Sequence, residues 1–294
     1  MLKEELTMTA DKTCLFCGLI LHPSRSKRRG KSEEHIFAKW LVDHLAIRNT
    51  LITSLRLDVP SGGILDVRKH SVSAFVGGRI CAECNNGWMS KLEEQVKPVL
   101  IRLIADPYEL SNLSEDERHA VARWTLKTAG VLNRSSASGN SADSLGRLVP
   151  DEHLRIVRSG SIPNDVIVVG GRCPSNRIAD ALQDASWAFP NYSSALRRED
   201  QNLSYKIALS FHSLLLAVAH YPNPDYCYGV NERSYVILWK GTRGVVRTHD
   251  EVGEVSLGSN SPILGKFLLN IFVVSKTWLK MRENDLTTRL IVSP

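Results

Sequence analysis

Two cysteine pairs, Cys14-Leu15-Phe16-Cys17 and Cys81-Ala82-Glu83-Cys84, constrain this chain more than any other feature. A C-x-x-C step folds into a tight knuckle that turns two thiolates toward one point. Two knuckles together supply the four soft ligands that tetrahedral zinc prefers. Residues 18–80 lie between the pairs, too many for a plain zinc ribbon, so a folded insert is expected inside the clamp. Cys173 and Cys227 lack such spacing and read as small buried apolar groups. Met1–Asp11 carries acids and no apolar stretch, so no export signal is read there. Thiols at metal-ligand spacing then point to a reducing, cytoplasmic setting rather than a disulfide framework. A thioredoxin-like use fits poorly, because no βαβ pattern precedes either pair. A RING-type interaction module needs a second full set of ligands, which the chain does not offer.

The 294 residues are enough for one large domain or two ordinary ones. With 43% apolar and 23% charged residues, the chain has a globular mixture. No long stretch is free of charge, so no membrane-spanning helix is expected. The net charge of +6 favours a polyanionic partner. Part of that charge sits in residues 22–31, where Arg25, Lys27, Arg28, Arg29 and Lys31 form a basic loop suited to a nucleic-acid backbone. Lys91 is a further candidate for a phosphate contact.

Periodicity predicts an α+β chain. After His35, a short helix carries Phe37, Trp40, Leu41 and Leu45. Short strands follow at 51–57, 64–67 and 71–76. A helix is expected from the second cysteine pair through Met89, Leu92, Val96 and Val99, with Pro98 marking a break or kink near its end. Residues 105–114 read as a linker. Ser114 and Glu117 then form a capping box for an amphipathic helix through Val121, Trp124, Thr128, Val131 and Leu132. Residues 133–147 are small and polar and read as a loop. Strands are expected at 166–169, 205–211, 214–219, 235–239 and 245–248. A long C-terminal helix is expected over 262–284, from the spacing of Leu264, Phe267, Leu268, Ile271, Val274, Trp278 and Met281. The resulting division is a tail (1–13), a zinc-stabilised unit (14–104) and a larger α+β region (110–294). That last region offers no motif tied to chemistry, and its use is left open between a specific DNA site, a partner protein or second copy of the chain, and a small ligand.

The insert adds a second chemistry. Glu34 and His35 are adjacent, so a strand turns them to opposite faces and a strand end lets them serve different groups. A hard divalent cation, magnesium or manganese, suits an oxygen-rich site of Glu34 and an Asn from the first turn of a following helix. His35 then takes a proton from water, which suits phosphodiester hydrolysis. His44, His212 and His220 read as surface or satisfied core histidines, and Trp40 and Trp88 as core residues rather than base-stacking platforms.

The order Cys14-x-x-Cys17, Glu34-His35-Ile36, Cys81-x-x-Cys84-Asn85 resembles the HNH endonucleases with zinc-knuckle cysteines, a ββα-metal finger. The continuation Asn85-Asn86-Gly87-Trp88-Met89, with Glu34-His35-Ile36-Phe37 upstream, is similar to a bacterial subgroup of HNH-like proteins. The resemblance covers residues 14 to about 100. It implies Glu34 and Asn85 as ligands of the catalytic ion, with Asn86 the fallback, and His35 as general base. It also implies DNA as substrate, in restriction, mobile-element or phage-defence settings. The chain departs from the pattern at Val76, where the family often has an Asn that holds the base histidine. His70, Ser73 or a backbone carbonyl is left to orient His35. The carboxylate ligand is also Glu where Asp is commoner. The alternative expectation is a non-catalytic zinc module that binds nucleic acid.

Overall fold

The structure is a computed structural model. It describes residues 13–21, 30–48, 51–58, 63–71, 76–135, 149–172, 186–189, 205–221, 224–231, 235–242, 245–248, 271–275 and 291–293. Arg25, Lys27, Arg28, Arg29, Ser73 and Cys173 lie outside these residues, as does most of the 133–147 and 262–284 segments.

The N-terminal part runs β1 (Lys31–His35), α1 (Lys39–His44), β2 (Leu51–Asp58), β3 (Gly63–Ser71) and β4 (Val76–Cys81). β1 pairs antiparallel with β4, and the hairpin β2–β3 is inserted between them. A single α-turn (Ala82–Cys84) and a π-helical turn (Asn85–Met89) lead into α2 (Ser90–Ala105). α2 buries Leu92, Val96, Val99, Leu100, Leu103 and Ile104 along one stripe. Pro98 does not end this helix. Its missing N–H frees the carbonyl of Glu94, but both residues are on the exposed face, and the buried stripe carries the helix on to Ala105.

The 105–114 linker is a 3₁₀ helix, Pro107–Asn112, with Pro107 and Leu110 buried. Asp106 caps it by accepting from the Tyr108 amide at 3.0 Å. The capping box at α3 (Glu115–Ser135) forms as the sequence indicates. The Glu117 amide donates to Ser114 Oγ at 3.3 Å, and the Ser114 amide donates to Glu117 Oε2 at 2.9 Å. Ser114→Ala is therefore expected to cost about 1 kcal/mol, read as a shift in the urea midpoint at unchanged m-value.

After α3 come α4 (Asp151–Arg158), β5 (Val166–Arg172), β6 (Ser186–Phe189), β7 (Tyr205–Phe211), β8 (Leu214–His220), β9 (Tyr226–Asn231), β10 (Tyr235–Trp239), β11 (Val245–Thr248), β12 (Ile271–Ser275) and β13 (Ile291–Ser293). An antiparallel five-stranded sheet has the order β10-β5-β8-β7-β6, and a second sheet the order β12-β9-β11-β13. α3 lies on the first sheet. Every residue of β8 is buried, because the sheet is covered on both faces. Val166, Val168, Leu214, Leu216 and Val218 join the helical core, while Ile167, Val169, Leu215 and Ala217 pack with Tyr228, Val230 and Val245 of the second sheet. The region is thus three layers: helices, sheet, sheet. The five strands expected from 166 to 248 are all present.

The C-terminal helix is corrected in part: Ile271–Ser275 is a strand, paired antiparallel with β9 from Ile271↔Val230 to Ser275↔Tyr226. Its Ile-Phe-Val-Val run is β-branched and aromatic, and a neighbouring strand offers the backbone partners that make extension the better state. His212 is likewise not within a strand. It sits exposed at φ 51° in the two-residue turn closing Phe211↔Leu214.

One hydrophobic core runs from Cys14, Phe16 and Ile80 through Leu92, Leu100 and Trp124 to Leu216 and Leu238. At its centre Glu93 accepts hydrogen bonds from Trp40 Nε1 (2.9 Å), Trp124 Nε1 (2.8 Å) and Lys127 Nζ (2.7 Å). Lys127 is only 1% exposed. This junction ties α1, α2 and α3 together.

Candidate metal centre

The first knuckle is a reversal built by backbone bonds. The Cys14 amide donates to the Leu19 carbonyl at 2.8 Å, and the Gly18 amide to the Cys14 carbonyl at 2.9 Å. Gly18 takes φ +69°, the left-handed conformation that side chains resist. The Leu15 amide donates to Arg79 O at 2.9 Å, which docks the knuckle on β4. The second knuckle is the exit of β4 into its α-turn, where the Cys84 amide donates to Cys81 Sγ at 3.4 Å. The Cys81 amide donates to Cys14 Sγ, also at 3.4 Å, so backbone N–H groups point at sulfur from both sides.

These turns bring Cys14, Cys17, Cys81 and Cys84 together, with all sulfurs within 4.8 Å of one another. Cys17 Sγ and Cys81 Sγ are 3.8 Å apart. Four sulfurs at ~2.3 Å from one tetrahedral ion lie ~3.8 Å from each other, the separation found for Cys17 and Cys81, so the cluster could hold a metal ion such as zinc. Cys14, Cys81 and Cys84 are buried, with Phe16 beneath them and Trp88 edge-on to Phe16 at 5.0 Å. The charges point the same way. A hydrogen bond from Cys84, helped by backbone amides and opposed by burial, brings Cys14 down to about 4. Burial pushes Cys81 up to about 11, with the charge on Cys14 adding to it. Cys84 is pushed far up by the proton it shares with Cys14 and by burial. An ion entering the cluster must displace the protons that these thiols carry. A divalent cation would replace those protons and pair all four thiolates, and the donor set fits a metal ion such as zinc.

The second candidate site lies beside it. Lys31↔Cys81 and His35↔Val76 are partners across β1 and β4, with a bulge between Ser32 and Glu34. His35 ends β1 and is exposed. Val76, at the departure from the HNH pattern, is the residue directly across from it. Asn85 opens the π-helical turn, in which Gly87 leaves helical geometry at φ −96°, ψ −108°. Such turns re-aim side chains within a helix. Asn85 Nδ2 donates to Ser32 Oγ at 2.5 Å, which ties its side chain to β1. Asn86 is exposed. Glu34 and Lys31 are in β1, and His70 is in β3, but their side chains lie outside the described set. Lys91 is exposed at the start of α2, and His44 is exposed in the last turn of α1. Trp40 and Trp88 belong to the core: the first bonds Glu93, and the second is covered by the Arg123 guanidinium at 5.0 Å.

A cluster that the sequence did not suggest lies in the C-terminal region, where His153, Asp165 and His220 converge. His220 was expected as a core histidine, and it is buried; His153 lies on α4, which is not among the expected helices, and Asp165 in the turn before β5, which carries no motif. The signals for α4 were Pro150 ahead of Asp151-Glu152 and the basic Arg155 and Arg158 at its end.

Comparisons of the chain with protein-family models, curated proteins and solved structures find no match. Among the described residues no helix is long and apolar enough to cross a membrane.

Proposed function

We propose that this chain is a metal-dependent HNH-type endonuclease that hydrolyses DNA phosphodiester bonds through a zinc-clamped ββα-metal finger. The observation that carries the reading is the β1–β4 pair, which runs through Cys81 and Cys84 into a helix whose Asn85 is hydrogen-bonded back to Ser32. This brings the strand of Glu34 and His35 and the first turn of the helix into one unit. Glu34 and Asn85 Oδ1 are the oxygen ligands for a magnesium or manganese ion. That ion, when bound, supplies positive charge to the scissile phosphate and the leaving oxygen. His35 is open to solvent and takes the proton from the attacking water. Arg25, Lys27, Arg28, Arg29, Lys31 and Lys91 contribute backbone contacts to the DNA.

Val76 across from His35 supports the second reading, a zinc module that binds nucleic acid without cutting it, because it offers no polar group to hold the imidazole. A plasmid-nicking assay with magnesium or manganese separates the two. Wild type is expected to nick, and His35→Ala to lose on the order of 10²-fold or more of the rate, as general-base removal does. Salt-sensitive binding with no nicking under either ion selects the second reading. Equal cleavage by His35→Ala removes His35 from the mechanism.

A further inference from the structure

The C-terminal region holds a second convergence of ligand-type side chains, remote in sequence from the thiols and built by the sheet. His220 ends β8, Tyr205 begins β7 and Val166 begins β5, and these three share one rung: Val166↔His220 and Tyr205↔His220. Asp165 stands one residue before that rung, in the turn entering β5, and α4 lays His153 over it. The ring of His153 stands 4.7 Å from that of His220 and nearly perpendicular to it.

The arrangement is held from several sides. Tyr205 Oη engages His153 Nδ1 at 2.8 Å, which leaves Nε2 to face Asp165. Tyr228 Oη donates to the Asp165 carbonyl at 2.5 Å and accepts from the Tyr221 amide at 2.9 Å. The neighbouring turn closes on Asn164. The Thr242 amide donates to Asn164 O at 3.2 Å, and Gly241, at φ +59°, comes so near that a Cβ there would lie 2.2 Å from that oxygen.

We infer that His153 Nε2, His220 Nδ1 and the Asp165 carboxylate form a second metal site, for a borderline divalent cation of the zinc class. The spacing argues for it. Three ligands at ~2.0–2.2 Å from a tetrahedral ion lie ~3.3–3.6 Å apart. His153 Nε2 is 3.5 Å from Asp165 Oδ1, and His220 Nδ1 is 3.2 Å from Asp165 Oδ2. Both contacts are also within ion-pair reach, and His220 Nδ1 lies 3.3 Å from the Asp165 carbonyl oxygen, so an ion entering here would take the place of these contacts. The chemistry fits as well. Two imidazoles and one carboxylate suit borderline ions, and hard ions prefer an all-oxygen set. Tyr205 does for His153 what outer-shell partners do for metal-bound histidines: it fixes the tautomer and the ring plane. Three protein ligands leave a fourth position for water or a ligand atom. His153 and Asp165 open onto a cleft of ≈ 430 Å³ also lined by Glu152, Asn164, Pro224 and Thr242. The open position therefore faces a space a small ligand can enter.

Metal analysis of the full chain tests this. Protein loaded with zinc and passed through gel filtration is expected to carry two equivalents, and one in Asp165→Asn and in His153→Gln. Each variant is checked for native near-ultraviolet circular dichroism. Glu34→Gln is expected to keep both, which separates this site from the proposed hydrolytic ion. Cobalt(II) titration of wild type gives a readout independent of variant folding. The thiolate equivalent shows sulfur-to-metal charge transfer, and the second equivalent adds ligand-field bands without it. One equivalent only, with thiolate character only, overturns the inference. So does a second equivalent that survives in folded Asp165→Asn.

Discussion

Cys84→Ser is expected to leave the purified chain without zinc at the thiol cluster and with a markedly lowered melting temperature. Structural zinc contributes about 10–16 kcal/mol to the folding of small finger peptides, against about 5–15 kcal/mol for the whole stability of an ordinary domain. Cys14, Cys81 and Cys84 belong to the same core as Ile80, Leu92 and Trp124, so the loss is not confined to a loop. A chelator applied to wild type should reproduce the variant's melt, and added zinc should restore wild type alone. Proton counting checks the same site by another route. Cys81 and Cys84 are held above neutrality by burial and by the charge of their neighbours, so zinc loading at pH 7 must release their protons into a weakly buffered indicator. The sign is fixed: protons compete with the ion, so the metal-linked stability is present near neutral pH and is lost as pH falls. A chain that melts identically with and without chelator, and contains no zinc, removes the metal from the account.

How far the sequence carries depends on how local the determinant is. The two C-x-x-C pairs are legible because each knuckle is a short turn whose geometry follows from spacing, and only their mutual approach needs the β1–β4 pairing. Ser114 and Glu117 are legible for the same reason, since both bonds of the box fall within one turn. The strands β5, β7, β8, β10 and β11 show themselves by alternation or by apolar runs, whereas β6 (Ser186–Phe189) and β9 (Tyr226–Asn231) do not. Residues 271–275 do not, because Ile-Phe-Val-Val fits a helical stripe and a strand equally well, and the deciding partner, β9, is some forty positions away in the chain. Asp165 is the extreme case. It lies in an unremarked turn, and only the register Val166↔His220 and the overlay of α4 make it the centre of a cluster. The basic loop Arg25–Arg29 lies outside the described residues, so its use rests on the sequence.

The buried junction at Glu93 gives the next largest effect. Lys127→Met keeps the length and apolar character of the stem but removes the ammonium that faces Glu93 Oε1 at 2.7 Å. Breaking one partner of a buried pair costs about 3–5 kcal/mol, because the other charge stays desolvated. The two indole N–H groups of Trp40 and Trp124 still bond the carboxylate and hold the loss toward the lower end of that range. Burial pushes Glu93 up, but the charge of Lys127 and the three hydrogen bonds outweigh it, and its pKa is lowered from 4.5. A depressed carboxylate contributes stability that is present above the unfolded value, about 4.5, and is lost as pH falls through the folded one. In Lys127→Met burial gains the upper hand, and protonating Glu93 relieves the variant instead of weakening it. Urea unfolding at a series of pH values should therefore show the deficit of Lys127→Met largest near neutral pH, beginning to shrink as pH falls through the variant's raised value above 4.5 and continuing to shrink below it. Adding Glu93→Gln to the variant should recover part of the loss at neutral pH, since no charge is left to bury; the recovery is partial because Trp40 and Trp124 bond different oxygens and the amide keeps an acceptor for only one of them. A single variant within about 0.5 kcal/mol of wild type, the range of ordinary surface changes, would show that α1, α2 and α3 are held by their apolar contacts alone.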